Sequence, residues 1–403
     1  MDVRIFPSSA HGTVTAPPSK SMAHRLLIAA CLSDKQTTVE HIELSEDIAA
    51  TVDCLRALGA EIRIVADKAE ILHGIDLSAI AEGTVLPCRE SGSTLRFLLP
   101  IALLSDKLIR FTASGRLPQR PLEVYRRICV EQNLYFEQFS DGVGVRGPLR
   151  AGSFSLPGDV SSQYITGLLF ALPLLDGDSR ISLETSLQSA SYVDMTLAVL
   201  SASGIEVSVQ GDREYVVSGM QSYRLPDCRT EGDYSNAAFL AALACMGHPV
   251  TVNGLRENSI QGDRAYCEYF SQLETGVPTL DMRDCPDLAP IVMTVAAIKN
   301  GATLCGTGRL KLKESDRGAV MAEELAKCGA DVHVYEDEIV INRTSLHAPA
   351  VALCGHNDHR VVMSLAVLLT KLGGVITGAE AVAKSYPRFF DDLESLGINL
   401  ELY

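Results

Sequence analysis

The chain of 403 residues has no tryptophan, and aromatic residues make up only 6% of it. With hydrophobic residues at 47%, its cores must be packed mainly from aliphatic side chains. Positive charge is also short: 35 Lys and Arg face 50 Asp and Glu, a formal net charge of −15. That excludes nucleic acid as the expected partner, because a nucleic-acid face is basic. It does not exclude small anions, since a local cationic cleft overrides the global charge. No apolar stretch reaches the roughly 18 continuous residues that a membrane span needs. No basic-then-apolar signal pattern opens the chain. The eleven cysteines include no C-x-x-C pair, and several fall inside apolar helix patterns. They read as reduced core residues of a cytoplasmic protein. No cluster of His, Cys, Asp and Glu has metal-ligand spacing, so neither a metal nor an organic cofactor is expected.

What is present is one design used six times. Pro17–Leu32 (P-P-S-K-S-M-A-H-R-L-L-I-A-A-C-L) runs from a polar, turn-prone opening into an almost wholly apolar helix pattern. Similar stretches begin near Gly92, Ser161, Asp233, Pro286 and Asn357. The markers Ser21, Ser93, Ser162, Ser235, Asp287 and Asp358 lie 72, 69, 73, 52 and 71 residues apart. A second series interleaves with the first: an amphipathic helix ended by a turn residue and followed by a strand, as in L-R-A-L-G-A-E-I. Its turn residues Gly59, Asn133, Gly204, Gly276, Gly329 and Gly397 lie 74, 71, 72, 53 and 68 apart. The pattern predicts a helix stopped by Gly or Asn in the left-handed conformation. A period near 70 is too long for a solenoid repeat, so six α/β modules packed into one or two large domains is the expected architecture. Gln221–Thr230 lacks helical periodicity and is the expected linker.

The polar residues that open the buried helices carry the chemistry. A helix start has unpaired N–H groups and partial positive charge, so cations added there make an anion site. Lys20 and Arg25 open the first helix, with Ser19 as its expected N-cap and Ser21 and Arg25 on one face. Further candidate cations are Arg96, Arg120, Lys313, Arg317, Arg360 and Lys384. Lys311–Arg317 (K-L-K-E-S-D-R) places two cations and two acids at a helix entrance, with Lys313 and Arg317 on one face if the helix starts early enough. Each motif alone has an ordinary explanation as a cap or a solvated turn, and His359 as an interior histidine. Their equivalent positions in a six-fold repeat point instead to helix tips aimed into one cleft, which suits a ligand with more than one anionic group.

In order, the motifs P-x-S-K-S-x-x-x-R, G-x-x-x-R, R-P, S-S-Q, Y-V-D, P-D, L-K-x-K-E-S-D-R, N-D-H-R and A-K-S-x-P span essentially the whole chain. On them the sequence resembles the enolpyruvyl transferase family. The resemblance implies an α/β (α+β) fold of two similar domains, each of three βαβαββ units (an inside-out α/β barrel), joined by a two-strand hinge. One domain is expected over 1–18 plus 229–403 and the other over 19–228, with Lys20 at the hinge. The implied activity moves the enolpyruvyl group of phosphoenolpyruvate to the 5-hydroxyl of shikimate-3-phosphate and releases phosphate, by addition–elimination through a tetrahedral intermediate. It implies Asp287 and Glu314 as the acid–base pair, with Lys20 assisting the departing phosphate. It implies Lys20, Ser21, Arg25, Ser161, Ser162, Gln163, Ser189, Asp287 and Lys313 as shikimate-3-phosphate contacts. Lys20, Gly92, Arg120, Gln163, Arg317, Arg360 and Lys384 are implied around phosphoenolpyruvate. A monomer is implied, and Gly92, lacking a methyl, implies sensitivity to glyphosate.

The family pattern is not kept everywhere: Arg309 and Glu90 stand where many members have Asn, and Ser191 where others have Pro. The alternative acceptor within the family is UDP-N-acetylglucosamine, but that branch opens on a K-N-x-x-x-P type motif and carries a loop cysteine, and S-G-R-L-P-Q-R-P here has none. A non-catalytic anion-binding protein on the same scaffold would not need Asp287, Glu314 and Lys20 together. A nucleic-acid-end-processing enzyme of related modules fits poorly with the acidic charge.

Overall fold

The structure, a computed structural model, describes residues 1–211 and 214–403. The chain forms two compact units, one continuous (Lys20–Glu231) and one split (Met1–Ser19 with Gly232–Tyr403). It passes between them twice, at Ser19–Lys20 and at Glu231–Gly232. Each unit has its own apolar core. The family fold expected from the sequence, α/β with repeated βαβαββ modules, is present.

The continuous unit contains α1 (Lys20–Leu32), α2 (Glu46–Ala57), α3 (Gly92–Ala102), α4 (Glu123–Glu131), α5 (Ser162–Ala171) and α6 (Ala190–Ala202). The split unit contains α7 (Tyr234–Cys245), α8 (Tyr266–Thr275), α9 (Ala289–Ile298), α10 (Arg317–Ala326), α11 (His359–Leu372) and α12 (Phe389–Ser395). The odd-numbered helices are buried nearly all round, as their unbroken Leu, Ile, Val and Ala runs require. Sheets cover them. Many strands alternate buried with more exposed residues, as Ser153–Leu156 and Ile109–Thr112 do, and so turn one face to the helices. Close packing of the central helices has a local requirement at Gly167 on α5. A Cβ there would stand 2.3 Å from the Arg96 carbonyl oxygen on α3 and 2.4 Å from the Tyr125 hydroxyl.

Every four-stranded sheet has the same plan: a parallel pair followed by two antiparallel neighbours. Thr84–Pro87, Ile109–Thr112, Gly142–Arg146 and Tyr135–Phe139 form one such sheet. Three modules, the first, the fourth and the last, are completed from a distance. Cys228–Arg229 lies parallel to Thr37–Glu40 and supplies the first module's missing strand. In the last module Asp2–Ile5 sits between Gly374–Thr377 and Leu400–Leu402. The fourth module explains the short spacings of 52 and 53 residues. Among the described residues it has only the parallel pair Gly12–Thr15 with Val250–Asn253, and no hairpin continues it. Its turn residue differs accordingly. Gly59, Asn133, Gly204, Gly329 and Gly397 are left-handed as expected, but Gly276 is extended at φ −167°. The chain there runs on to the next module's parallel strand, Thr279–Asp281, and needs no tight reversal.

Gln221–Thr230, the expected linker, ends one residue before the chain crosses between the units at Glu231–Gly232, and part of it is packed. Tyr223 and Leu225 are buried in the continuous unit, and the Tyr223 hydroxyl donates to the Phe170 carbonyl at 2.7 Å. A segment without periodicity packs here because two large side chains, not a helix face, anchor it.

His24 on α1 is fully enclosed, its ring edge-on to Phe97. Its Nδ1 lies 2.7 Å from the Thr51 hydroxyl. Burial first, then Lys20 and Arg25, hold its pKa well below the ordinary 6.5. The unfolded chain therefore binds this proton at a pH where the folded protein does not. Stability from His24 is intact above about pH 6.5 and falls below it, with a limiting slope of about 1.4 kcal/mol per pH unit. His24→Asn, which keeps the bond to Thr51, is expected to flatten urea-derived stability between pH 7 and pH 5. An unchanged slope in the variant would show that the buried ring contributes nothing.

Candidate active site

In the split unit, the starts of three buried helices are tied together by one side chain. Arg360, in the first turn of α11, donates from Nη1 to the Asn236 side-chain oxygen in the first turn of α7, at 3.1 Å. Its Nη2 lies 3.6 Å from Asp287 Oδ2, in the Pro286–Leu288 turn that leads into α9. Asp287 also accepts from Lys313 Nζ at 3.1 Å and from Arg317 Nη1 at 2.7 Å.

Arg317 is the hub. Its side chain is 1% exposed and reaches three carboxylates. Nη2 donates to Glu314 Oε2 at 2.8 Å, and Nε donates to Asp358 Oδ2 at 2.9 Å. Burial opposes its charge, yet Asp358, Glu314 and Asp287 together raise its pKa above the usual arginine range. Asp358 is fully buried, caps α11 through the Arg360 N–H and accepts from Ser315 Oγ. Asp287 and Glu314 side chains are 21% and 18% exposed, so these are the carboxyls open to a ligand. Burial lowers the Lys313 pKa, with Asp287 opposing and Arg317 adding to the effect. Lys384 donates to the carbonyl of Asn357, the residue before Asp358, at 2.6 Å.

One expectation is corrected. Lys313 and Arg317 do not share a helix face, because α10 begins at Arg317 and Lys313 lies in extended backbone after the Leu310–Leu312 turn. Asp316 caps α10, which fixes the start there. The two cations meet through Asp287 instead. Arg309 turns its Nη2 to the Arg283 carbonyl at 2.6 Å and adds to the lowering of the Lys313 pKa.

In the continuous unit the expected residues form three groups at helix starts. Lys20, the first residue of α1, pairs with Asp47 on α2 at 2.6 Å. Arg25 is buried and donates to the Ser21 carbonyl, the Thr196 hydroxyl and the Tyr192 carbonyl at 2.7, 2.9 and 2.7 Å. Burial brings its pKa down to about 10. Gly92 opens α3 behind its cap Ser91, and the Arg120 guanidinium lies directly over it. Ser161 caps α5 by accepting from the Gln163 N–H. The Gln163 side chain accepts from Arg96 Nη1 at 2.7 Å and donates to Ser93 Oγ at 3.0 Å. Ser162 is buried in the first turn of α5, and Ser189 sits left-handed, φ 60°, before α6.

Sequence reasoning assigned no site role to Asp47, Asn236 or Asp358. Asp358 stood in the N-D-H-R motif and could have been found as a cap. Asn236 stood in the polar opening of the fourth buried helix and Asp47 in the first turn of an amphipathic helix, and only packing brings them to Arg360 and Lys20.

Among the described residues no helix is long and apolar enough to cross a membrane. Each unit presents cation-bearing helix starts, and the split unit adds two accessible carboxyls. These groups suit binding of phosphate and carboxylate groups and proton transfer beside them.

The fold is that of the enolpyruvyl transferases. A solved EPSP synthase from Acinetobacter baumannii superposes with a TM-score of 0.79 at 23% identity, covering 99% of both chains. The enolpyruvyl transferase NikO from Streptomyces tendae gives a TM-score of 0.78 at 15% identity, covering 99% of this chain and 98% of its own. In sequence, the 3-phosphoshikimate 1-carboxyvinyltransferase of Clostridium beijerinckii is 38% identical, spanning 98% of this chain and 97% of its own. That of Clostridium kluyveri is 39% identical with the same coverage. The chain belongs to the family of EPSP synthase (3-phosphoshikimate 1-carboxyvinyltransferase), which it matches over residues 6–277 and 271–393.

Proposed function

We propose that the chain transfers the enolpyruvyl group of phosphoenolpyruvate to the 5-hydroxyl of shikimate-3-phosphate, releasing phosphate, in the biosynthesis of chorismate and aromatic amino acids. The observation that carries this reading is the pair of accessible carboxyls, Asp287 and Glu314, fixed by one buried guanidinium. Addition–elimination across an enol ether needs a proton on the methylene carbon and a proton taken from the acceptor hydroxyl, with both transfers then reversed. Two carboxyls perform this when their positions do not drift, and Arg317 holds both.

The other assignments rest on the site chemistry and the family motifs together. Lys20, Ser21, Arg25, Ser161, Ser162, Gln163, Ser189, Asp287 and Lys313 take shikimate-3-phosphate. Lys20, Gly92, Arg120, Gln163, Arg317, Arg360 and Lys384 take phosphoenolpyruvate, with Lys20 beside the departing phosphate. These cations offset charge as it shifts to phosphate and carboxylate. Every residue named belongs to one chain, and we take the working species to be a monomer. We place it in the cytoplasm, where its eleven free thiols, most of them buried, stay reduced.

The test is phosphate release from phosphoenolpyruvate with shikimate-3-phosphate or UDP-N-acetylglucosamine as acceptor. Release with the first alone is expected. Release only with the second would replace this reading, and none with either would leave an anion-binding protein.

Gly92→Ala probes the phosphoenolpyruvate side. A Cβ at Gly92 would lie 2.6 Å from Arg120 Nη1 and 3.0 Å from its Cζ, so the guanidinium must move. A displacement near 1 Å costs up to about a hundredfold in a positioned reaction. The KM for phosphoenolpyruvate is expected to rise about tenfold while that for shikimate-3-phosphate changes little. Unchanged phosphoenolpyruvate kinetics would take Arg120 out of its assigned place.

A further inference from the structure

Beyond the three carboxylates on Arg317, the split unit holds a further one to which the reaction assigns no role, Glu324. Glu324 on α10 has no exposed surface. Its Oε1 accepts from Lys327 Nζ and from His356 Nε2, both at 2.7 Å. Its Oε2 accepts from Lys327 Nζ at 2.8 Å and from the Cys354 backbone N–H at 2.9 Å. Lys327, the C-cap of α10, balances the charge. The remaining two bonds both go to the turn that precedes α11.

That turn is under strain. His356 and Asn357 are consecutive non-glycine residues in the left-handed region, at φ 49° and 53°. Their conformation aims a run of site residues. The Asn357 carbonyl meets Lys384, Asp358 meets Arg317, and Arg360 opens α11 toward Asn236 and Asp287. Helix α10 therefore grips the segment at two points. Arg317 in its first turn holds Asp358, and Glu324, seven residues on and on the same face, holds Cys354 and His356.

We infer that Glu324 is a positioning residue: by clamping the strained Cys354–Asn357 turn to α10, it sets where Asn357, Asp358 and Arg360 stand for phosphoenolpyruvate. The inference rests on the proposed function for the identity of that anion. The clamp itself does not.

Two readouts separate these claims. The variants are Glu324→Ala, Glu324→Gln and, as control, Glu323→Gln, an exposed neighbour 3.7 Å from Lys327 that makes no hydrogen bond to Cys354 or His356 among those the structure shows. Without any substrate, hydrogen exchange of peptides covering 353–360 is expected to quicken in Glu324→Ala. It should be intermediate in Glu324→Gln, whose amide oxygen still accepts from Cys354, and unchanged in the control. With substrates, Glu324→Ala is expected to raise the KM for phosphoenolpyruvate roughly ten- to hundredfold. The KM for shikimate-3-phosphate should shift far less, and Glu324→Gln should recover part of the loss. If Glu324→Ala does not fold, Glu324→Gln and His356→Ala carry the same comparison. Normal exchange at 353–360 in a folded variant would overturn the clamp, and equal changes in both KM values would overturn its role in placing the residues for phosphoenolpyruvate. Absence of turnover in the unmodified protein would overturn only the proposed function, because the exchange experiment still decides whether the clamp exists.

Discussion

Asp287→Asn is expected to give a folded protein that binds both substrates and turns over about 10²–10⁴-fold more slowly, the range in which a positioned acid–base group acts. The substitution keeps the shape and one acceptor oxygen, so Lys313 Nζ or Arg317 Nη1, now at 3.1 and 2.7 Å, retains a partner. What it removes is the ability to take and return a proton. Because Asp287 touches three cations, its charge also offsets theirs. Asn therefore leaves the local field more positive, and anion binding should hold or tighten. The signature is a fall in kcat without a matching rise in either KM, read by phosphate release, with binding followed by calorimetry. Glu314→Gln should behave alike, since Glu314 is held by the same guanidinium at 2.8 Å. Full activity in either variant would remove that residue from its role.

Arg317→Met is expected to destabilise the protein by about 3–5 kcal/mol, the usual cost of stripping one partner from a buried ion pair. The reasoning starts from Asp358, which has no exposed surface. It would keep Ser315 Oγ and the Arg360 N–H as donors but lose its only ion-pair partner among the described residues. Asp287 and Glu314 are partly exposed and can recover water, so most of the loss should trace to Asp358. A second substitution tests this. Adding Asp358→Asn to Arg317→Met removes the stranded charge and should return a substantial part of the stability in a double-mutant cycle. Strict additivity of the two losses would mean that the pair is not coupled. A loss below about 1 kcal/mol for Arg317→Met would place it with surface ion pairs, against its burial.

The candidate site was legible where chemistry and chain position coincide. Lys20, Arg25, Gly92, Ser161 and Asp287 stand at or near the starts of buried helices, and an apolar run behind a polar opening marks that position in any sequence. The repeat was legible for the same reason: spacings near 70 residues are visible without coordinates. The missing hairpin of the fourth module left a trace in the short spacing, but only strand pairing shows what was missing. The meeting of Lys313 with Arg317 was read through helix periodicity, and that failed because a cap at Asp316 starts α10 too late.

The sequence by itself determined the fold class, the module count, the buried helices and the residue types at their tips, because each depends on local periodicity and capping within a few turns of chain. Only the tertiary structure decided which charges meet. Asp287 to Arg317, Arg360 to Asn236 and Glu324 to His356 are separated by 30, 124 and 32 residues. Over such distances the partner is set by how paired strands and packed helices return the chain, and no local pattern records it.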